Sequence, residues 1–418
     1  MREKHNKDDG NDGLDATLVH CWMSEPSTGG NHSVLTPEGL ENIASHKYRS
    51  GSYTHLDNLC NPLWTQLTEL LPRWLAPNSV TTLGGLHCFI SYLVIWAYSP
   101  NFVDDVPNWV VLLSGYCTLA YYTLDCMDGK QARRIGASSP LGQLFDHGFD
   151  CLCNLAHCSA CGGYTMIGGT RWFLLLQATL QFSFFQAQWE EYYTHILPHS
   201  AGDWLGVTEV NYGMGLATVF MSFIDRKAFW IRPLSAVLPT FLLDLLPTAL
   251  LESELRYAGV AGWAFMIMVL CSQSLTRVFL HLESNTDRFS AASKLLSPAL
   301  IAIALFLVPS QYVENNTREL SIAAGFLFSL ITKKMIVFSM AKMTFASIQM
   351  DVLPFVAVCL WVRLDPNLTE RGVETVLAIA CVLYAIRLVF WAKRAINDIC
   401  HRLGIWCFRI KPKEKKKA

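Results

Sequence analysis

Apolar runs long enough to cross a lipid bilayer follow one another along most of this 418-residue chain, and they constrain its fold more than any other feature. A helix needs about 17–25 apolar residues to span the hydrocarbon. Such runs lie near 79–98, 108–125, 141–165, 171–193, 208–225, 259–282, 294–310, 318–340, 345–363 and 373–393. Backbone groups find no water inside a bilayer, so only helices or closed barrels cross it. The expectation is an all-α integral membrane protein with about ten transmembrane helices. Charged residues are 16% of the chain and apolar ones 52%, with a mean hydropathy of +0.27. A soluble domain carries about 25% charged residues. Lys and Arg total 33 against 34 Asp and Glu, a net charge of −1, so global charge gives no support for a nucleic-acid partner.

The remaining segments divide the chain. Residues 1–45 are polar, lack an apolar signal-peptide core, and are expected to form a disordered cytosolic tail. Residues 46–78 read as an interfacial amphipathic segment, with Leu63, Trp64, Leu67, Leu70, Leu71 and Trp74 at helical spacing. A first set of membrane helices fills 79–225 and a second set 259–393. Between them, 226–258 is expected to be lumenal or interfacial, because Pro239, Asp244 and Pro247 break its apolar stretch. Residues 394–418 read as a basic cytosolic tail. An N-terminus inside puts Lys130–Arg134, Lys333, Lys334 and Lys342 in the cytosol. The Asn315 and Asn367 sequons then fall on the lumenal side. The ending Lys415-Lys416-Lys417-Ala418 resembles a di-lysine retrieval signal, which points to the endoplasmic reticulum (or the Golgi). The 14 cysteines are scattered through apolar runs and read as reduced, buried thiols, including Cys158 and Cys161 beside His157.

One stretch breaks the apolar rule. Asp125 and Asp128 are three residues apart, and Asp146 and Asp150 four apart, at the junction of two expected spans. At 3.6 residues per turn each pair shares a helix face. A carboxylate within a membrane helix costs roughly 3 kcal/mol, so four cost on the order of 12 kcal/mol. That is comparable to the stability of a whole domain. Lys130, Arg133 and Arg134 can offset part of it as an interfacial ion-pair network. A divalent-cation site explains it more fully, since hard oxygen ligands suit magnesium or manganese, and four Asp on two helices can hold two ions. Gly129 and Gly142 allow close approach to the backbone, and Arg133 is a donor suited to phosphate. His147, beside Asp146, is a general base or a structural histidine. Spacing does not choose between them.

The pattern Asp125-x2-Asp128-Gly129-x2-Ala132-Arg133-x8-Gly142-x3-Asp146-x3-Asp150 resembles the signature of the CDP-alcohol phosphotransferase family, without a gap. Asp146-His147-Gly148 is similar to its eukaryotic choline- and ethanolaminephosphotransferase branch, as are Trp74–Thr81, Val207–Val210 and Phe408–Lys411. The resemblance implies that the four Asp ligate two magnesium or manganese ions. It implies that Asn78 and Arg133 contact the CDP-alcohol, with Gly129 and Gly142 beside it. It also implies that His147 accepts the proton of the diacylglycerol hydroxyl, with Asp150 as the other candidate base. Gln143 departs from the branch, where Glu is expected. The implied reaction joins phosphocholine or phosphoethanolamine from CDP-choline or CDP-ethanolamine to diacylglycerol, releasing CMP, on the cytosolic side and in a homodimer. The alternatives are another alcohol or lipid acceptor within the family or, from another class, a cation-coupled transporter. A choline site calls for aromatic faces. Tyr121, Tyr122, Trp189, Tyr192 and Tyr193 stand near span ends.

Overall fold

A computed structural model describes residues 33–410. Among them the chain is all-helical, with isolated bridges in place of strands. In chain order the helices are α1 (Pro37–Ser45), α2 (His55–Leu70), α3 (Pro77–Tyr98), α4 (Asn108–Ile135), α5 (Pro140–Thr165), α6 (Arg171–Thr194) and α7 (Val207–Met221). They continue as α8 (Arg226–Trp230), α9 (Thr240–Leu243), α10 (Thr248–Leu251), α11 (Leu255–His281), α12 (Asn285–Ser293), α13 (Leu296–Leu307), α14 (Ser310–Ala341), α15 (Val352–Leu364) and α16 (Glu370–Leu403).

Each of the apolar runs falls on a helix. Helices α3, α4, α11, α14 and α16, and α12 taken together with α13, are long and apolar enough to cross a membrane. Helices α5 and α6 match them in length but carry Asp, His, Gln and Glu. Runs 208–225 and 345–363 shorten to Val207–Met221 and Val352–Leu364. Lys342 turns into the left-handed region (φ 53°) after α14, and α15 starts only ten residues later. Segment 226–258 contains no spanning helix. Pro233, Pro239 and Pro247 each precede a short helical piece.

Two boundaries move. The N-terminal tail expected over 1–45 gives way to helix at Pro37, capped by the Thr36 side chain. Leu35 and Ile43 bury against Leu330, Ile336 and Leu388, and Ser33 and the Val34 N–H both bond to Asp398. Two apolar residues are too few to show as periodicity. The C-terminal tail expected from 394 starts later, because α16 runs on to Leu403 before Gly404 (φ 62°) ends it. The remaining parts of both tails, with the C-terminal lysines, lie outside the described residues.

Helix α14 runs through the centre and packs on α1, α5, α6 and α16. Around the acidic stretch, α3, α4, α5 and α7 close tightly. At Gly115 a side-chain carbon would come within 2.7 Å of the Val219 nitrogen, and at Gly215 within 2.6 Å of Leu119, so α4 and α7 touch through glycine. Gly85 on α3 leaves room for the Phe149 ring of α5.

Candidate active site

The hairpin of α4 and α5 sets the site. Helix α4 runs unbroken past Leu124 because no proline intervenes and Gly129 stays helical, until Gly136, whose left-handed turn (φ 68°) bonds back to Ala132 and Arg133. Ser139 then caps α5 and Pro140 occupies its first turn. The last turns of α4 therefore face the first turns of α5. Carboxylate oxygens of Asp125, Asp128 and Asp146 lie within 4.8 Å of one another. Asp128 is buried and accepts a hydrogen bond from Thr81 of α3. One oxygen each of Asp125 and Asp146 is enclosed without any hydrogen-bond partner. Carboxylates gathered this closely, one of them buried and two with bare enclosed oxygens, form a donor set suited to a hard divalent cation.

Asp150 stands apart from this trio. It accepts from the Tyr121 hydroxyl at 2.5 Å and faces the His147 Nδ1 at 3.7 Å. The guanidinium of Arg133 lies 3.5 Å from where a Gly129 side chain would begin, and among the described residues no ion pair holds it. A side-chain carbon at Gly142 would meet nothing within 4 Å, so this glycine borders open space. Asn78 begins α3 and donates to the Cys407 carbonyl at 2.9 Å, which ties that end of the bundle to the chain after α16.

Several neighbours of His147 had no signal in the spacing. Segment 46–55 and loop 195–206 form a strap beside it, linked by Gly51 N–H to Leu197 O, Leu197 N–H to Arg49 O and His55 N–H to Asp203 O. The Tyr48 ring lies 5.8 Å from the His147 ring, and its hydroxyl pairs with His199 Nε2 at 2.6 Å. The departure at Gln143 has a counterpart here. The Gln143 amide donates to Glu191 of α6 at 2.7 Å and its carbonyl meets His46 at 2.9 Å. The helical aromatics are engaged elsewhere: Tyr122 with Thr208, Trp189 with the Ala291 carbonyl, Tyr192 with the Met343 carbonyl, and Tyr193 beneath the Lys294 ammonium. Cys158 and Cys161 belong to the thirteen unpaired thiols among the described residues.

A cavity of about 700 Å³ opens from Asp125 and Asp150 and continues between α6 and α11. Asp150, Asn154, Cys158, Cys161 and Thr165 line it from one face of α5. Fifteen residues at 1.5 Å rise carry it roughly 22 Å through the bundle. Its wall is apolar except for such groups as Gln186 and the Glu190–Arg277 ion pair, bonded at 2.6 and 2.8 Å.

Fold and site together define an all-helical integral membrane protein with a carboxylate cluster at one end of a long apolar chamber. Residues 74–238 match the family profile described as CDP-alcohol phosphatidyltransferase. That profile describes the class resembled by the acidic signature of this stretch. It is 28% identical to Choline/ethanolaminephosphotransferase 2 of Arabidopsis thaliana over 396 residues, covering 90% of this chain and 98% of that one. It is 26% identical to Ethanolaminephosphotransferase 1 of Mus musculus, covering 91% and 95%. To Cholinephosphotransferase 1 of Homo sapiens it is 28% identical, covering 74% of each.

Proposed function

We propose that the protein transfers phosphocholine or phosphoethanolamine from CDP-choline or CDP-ethanolamine to diacylglycerol, giving phosphatidylcholine or phosphatidylethanolamine and CMP. The observation that carries this reading is the carboxylate trio with unbonded oxygens at the mouth of a lipid-sized apolar chamber. A transporter needs an acidic site reached in turn from both faces. Here the acids stand at one end of one hairpin.

Asp125, Asp128, Asp146 and Asp150 hold magnesium or manganese in this reading, two ions in all. When bound, the ions neutralise the donor diphosphate and make CMP a better leaving group. The Arg133 guanidinium, which no ion pair holds among the described residues, binds phosphate oxygens, and the open space at Gly142 admits the donor. Asn78 contacts the nucleotide from the start of α3. The acceptor lies with its chains in the chamber and its hydroxyl toward His147. His147 takes the hydroxyl proton as the new oxygen–phosphorus bond forms and the bond to CMP breaks in line. Its Nδ1 faces Asp150, which orients the ring and stabilises the imidazolium. The finer reading also includes a homodimer in the endoplasmic reticulum or Golgi, with residues 46–78 at the membrane surface and the site toward the cytosol. The exposed Leu59, Leu63, Leu70 and Trp74 support that placement.

The test uses purified protein, diacylglycerol and labelled CDP-choline or CDP-ethanolamine, with and without magnesium. Metal-dependent CMP release is expected, abolished by Asp146→Asn. No release with either donor overturns the reading.

A further inference from the structure

The strap beside His147 carries side chains that the transfer reaction described above does not use. Tyr48 is half-exposed and Tyr53 more so, at 43% and 58%, and both rings sit around His199. The Tyr53 and His199 rings stack at 17° with centroids 6.2 Å apart. Tyr48 joins this group to the site, with its ring against His147 and its hydroxyl on His199. Behind it stands Glu191, 3% exposed and bonded to the neutral amide of Gln143. Among the described residues no cationic side chain forms a salt bridge to Glu191. A buried carboxylate without a cation is costly unless something supplies the charge.

We infer that this strap holds the cationic alcohol end of the donor, with Tyr48 and Tyr53 offering aromatic faces and Glu191 the opposing charge. The inference rests on the transfer reading, which puts a trimethylammonium or ammonium group a few atoms from the phosphorus. A quaternary ammonium donates no hydrogen bond, so aromatic faces and a nearby anion are what recognise it. A primary ammonium uses the same anion and adds hydrogen bonds. The anchoring of the strap also matters. His46 bonds Gln143, which bonds Glu191, so the segment carrying Tyr48 and the carboxylate are held in one chain of contacts.

The test is a binding titration of the full-length protein in nanodiscs with magnesium and no acceptor. The probes are CDP-choline, CDP-ethanolamine and CDP-3,3-dimethylbutanol, the neutral carbon isostere of the choline donor. Wild type is expected to bind the cationic donors about tenfold more tightly than the neutral one. Tyr48→Leu and Glu191→Gln should each remove most of that preference while leaving affinity for the neutral donor, which also serves as the folding control. Tyr48→Phe keeps the aromatic face and should keep the preference. In turnover, Tyr48→Leu should raise KM for the cationic donors more than it lowers kcat. Equal affinity of wild type for all three donors overturns the inference, as does a Tyr48→Leu variant weakened equally for all three. Donor preference without any CMP release overturns the transfer reading but leaves the head-group site standing.

Discussion

Replacing Asp146 by Asn should stabilise the metal-free protein while removing its response to metal. Oxygens of Asp125, Asp128 and Asp146 lie within 4.8 Å of one another. At that separation two carboxylates repel by about 3.5 kcal/mol at an effective dielectric constant of about 20. Protonation of one carboxyl relieves part of this, so the net gain from Asn is on the order of 1–3 kcal/mol without metal. With metal the sign reverses. A cation at a hundred times its dissociation constant stabilises the native state by about 2.7 kcal/mol, and the variant loses that increment with one of its ligands. The assay is thermal unfolding in nanodiscs at one scan rate, in chelator and in millimolar magnesium, because unfolding of such a protein is read as an apparent midpoint. Wild type should show the lower midpoint in chelator and the larger rise with magnesium. Asp146→Asn should start higher and stay nearly flat. A variant that unfolds below wild type in chelator and still rises equally with magnesium would refute the argument that these carboxylates are poised for a cation.

Gly115→Leu should wedge α4 from α7, since its first side-chain carbon already meets the Val219 nitrogen at 2.7 Å; loss of about 3 kcal/mol or more is expected, read as a fall in folded yield and unfolding midpoint. Leu180→Trp narrows the long chamber, so KM for diacylglycerol should rise severalfold with KM for the CDP-alcohol unchanged; equal changes in both would show that the chamber does not hold the acceptor. Burial and the neighbouring His147 hold His199 down at about 4, below its ordinary 6.5. An unfolded strap therefore binds more protons between those values, so strap stability should be full above pH 6.5 and fall as pH drops toward 4. Limited proteolysis of segment 46–54 across that range should accelerate on acidification, and His199→Asn should flatten the dependence.

Helix positions and the acidic hairpin were legible in the residues because each rests on local chemistry. Long apolar runs must be helical in hydrocarbon, and three- and four-residue spacings put carboxylates on one face whatever else the chain does. The turn at Gly136 and the cap at Ser139 are local as well, so the approach of Asp146 to Asp125 and Asp128 needed no tertiary information, whereas Asp150 turns to Tyr121 and His147. Lengths were less legible. Helix α4 continues into polar sequence, whereas α15 keeps 13 residues and starts ten residues after the turn at Lys342.

The surroundings of His147 belong to the tertiary structure alone. Tyr48 is 99 residues from it and Glu191 a further 44, and contacts at such separations leave no periodicity in a sequence. Helix α6 delivers Glu191 beside Gln143, and the backbone bonds between the strap and loop 195–206 deliver Tyr48. The amino-acid order determined that acids gather at one end of a membrane hairpin, because their spacing is a property of single helices. Only the packing of α3, α6, α11 and the strap around that hairpin decided how the cluster is enclosed, which aromatic rings remain open, and where an apolar chamber meets it. Those outcomes depend on how distant surfaces fit together.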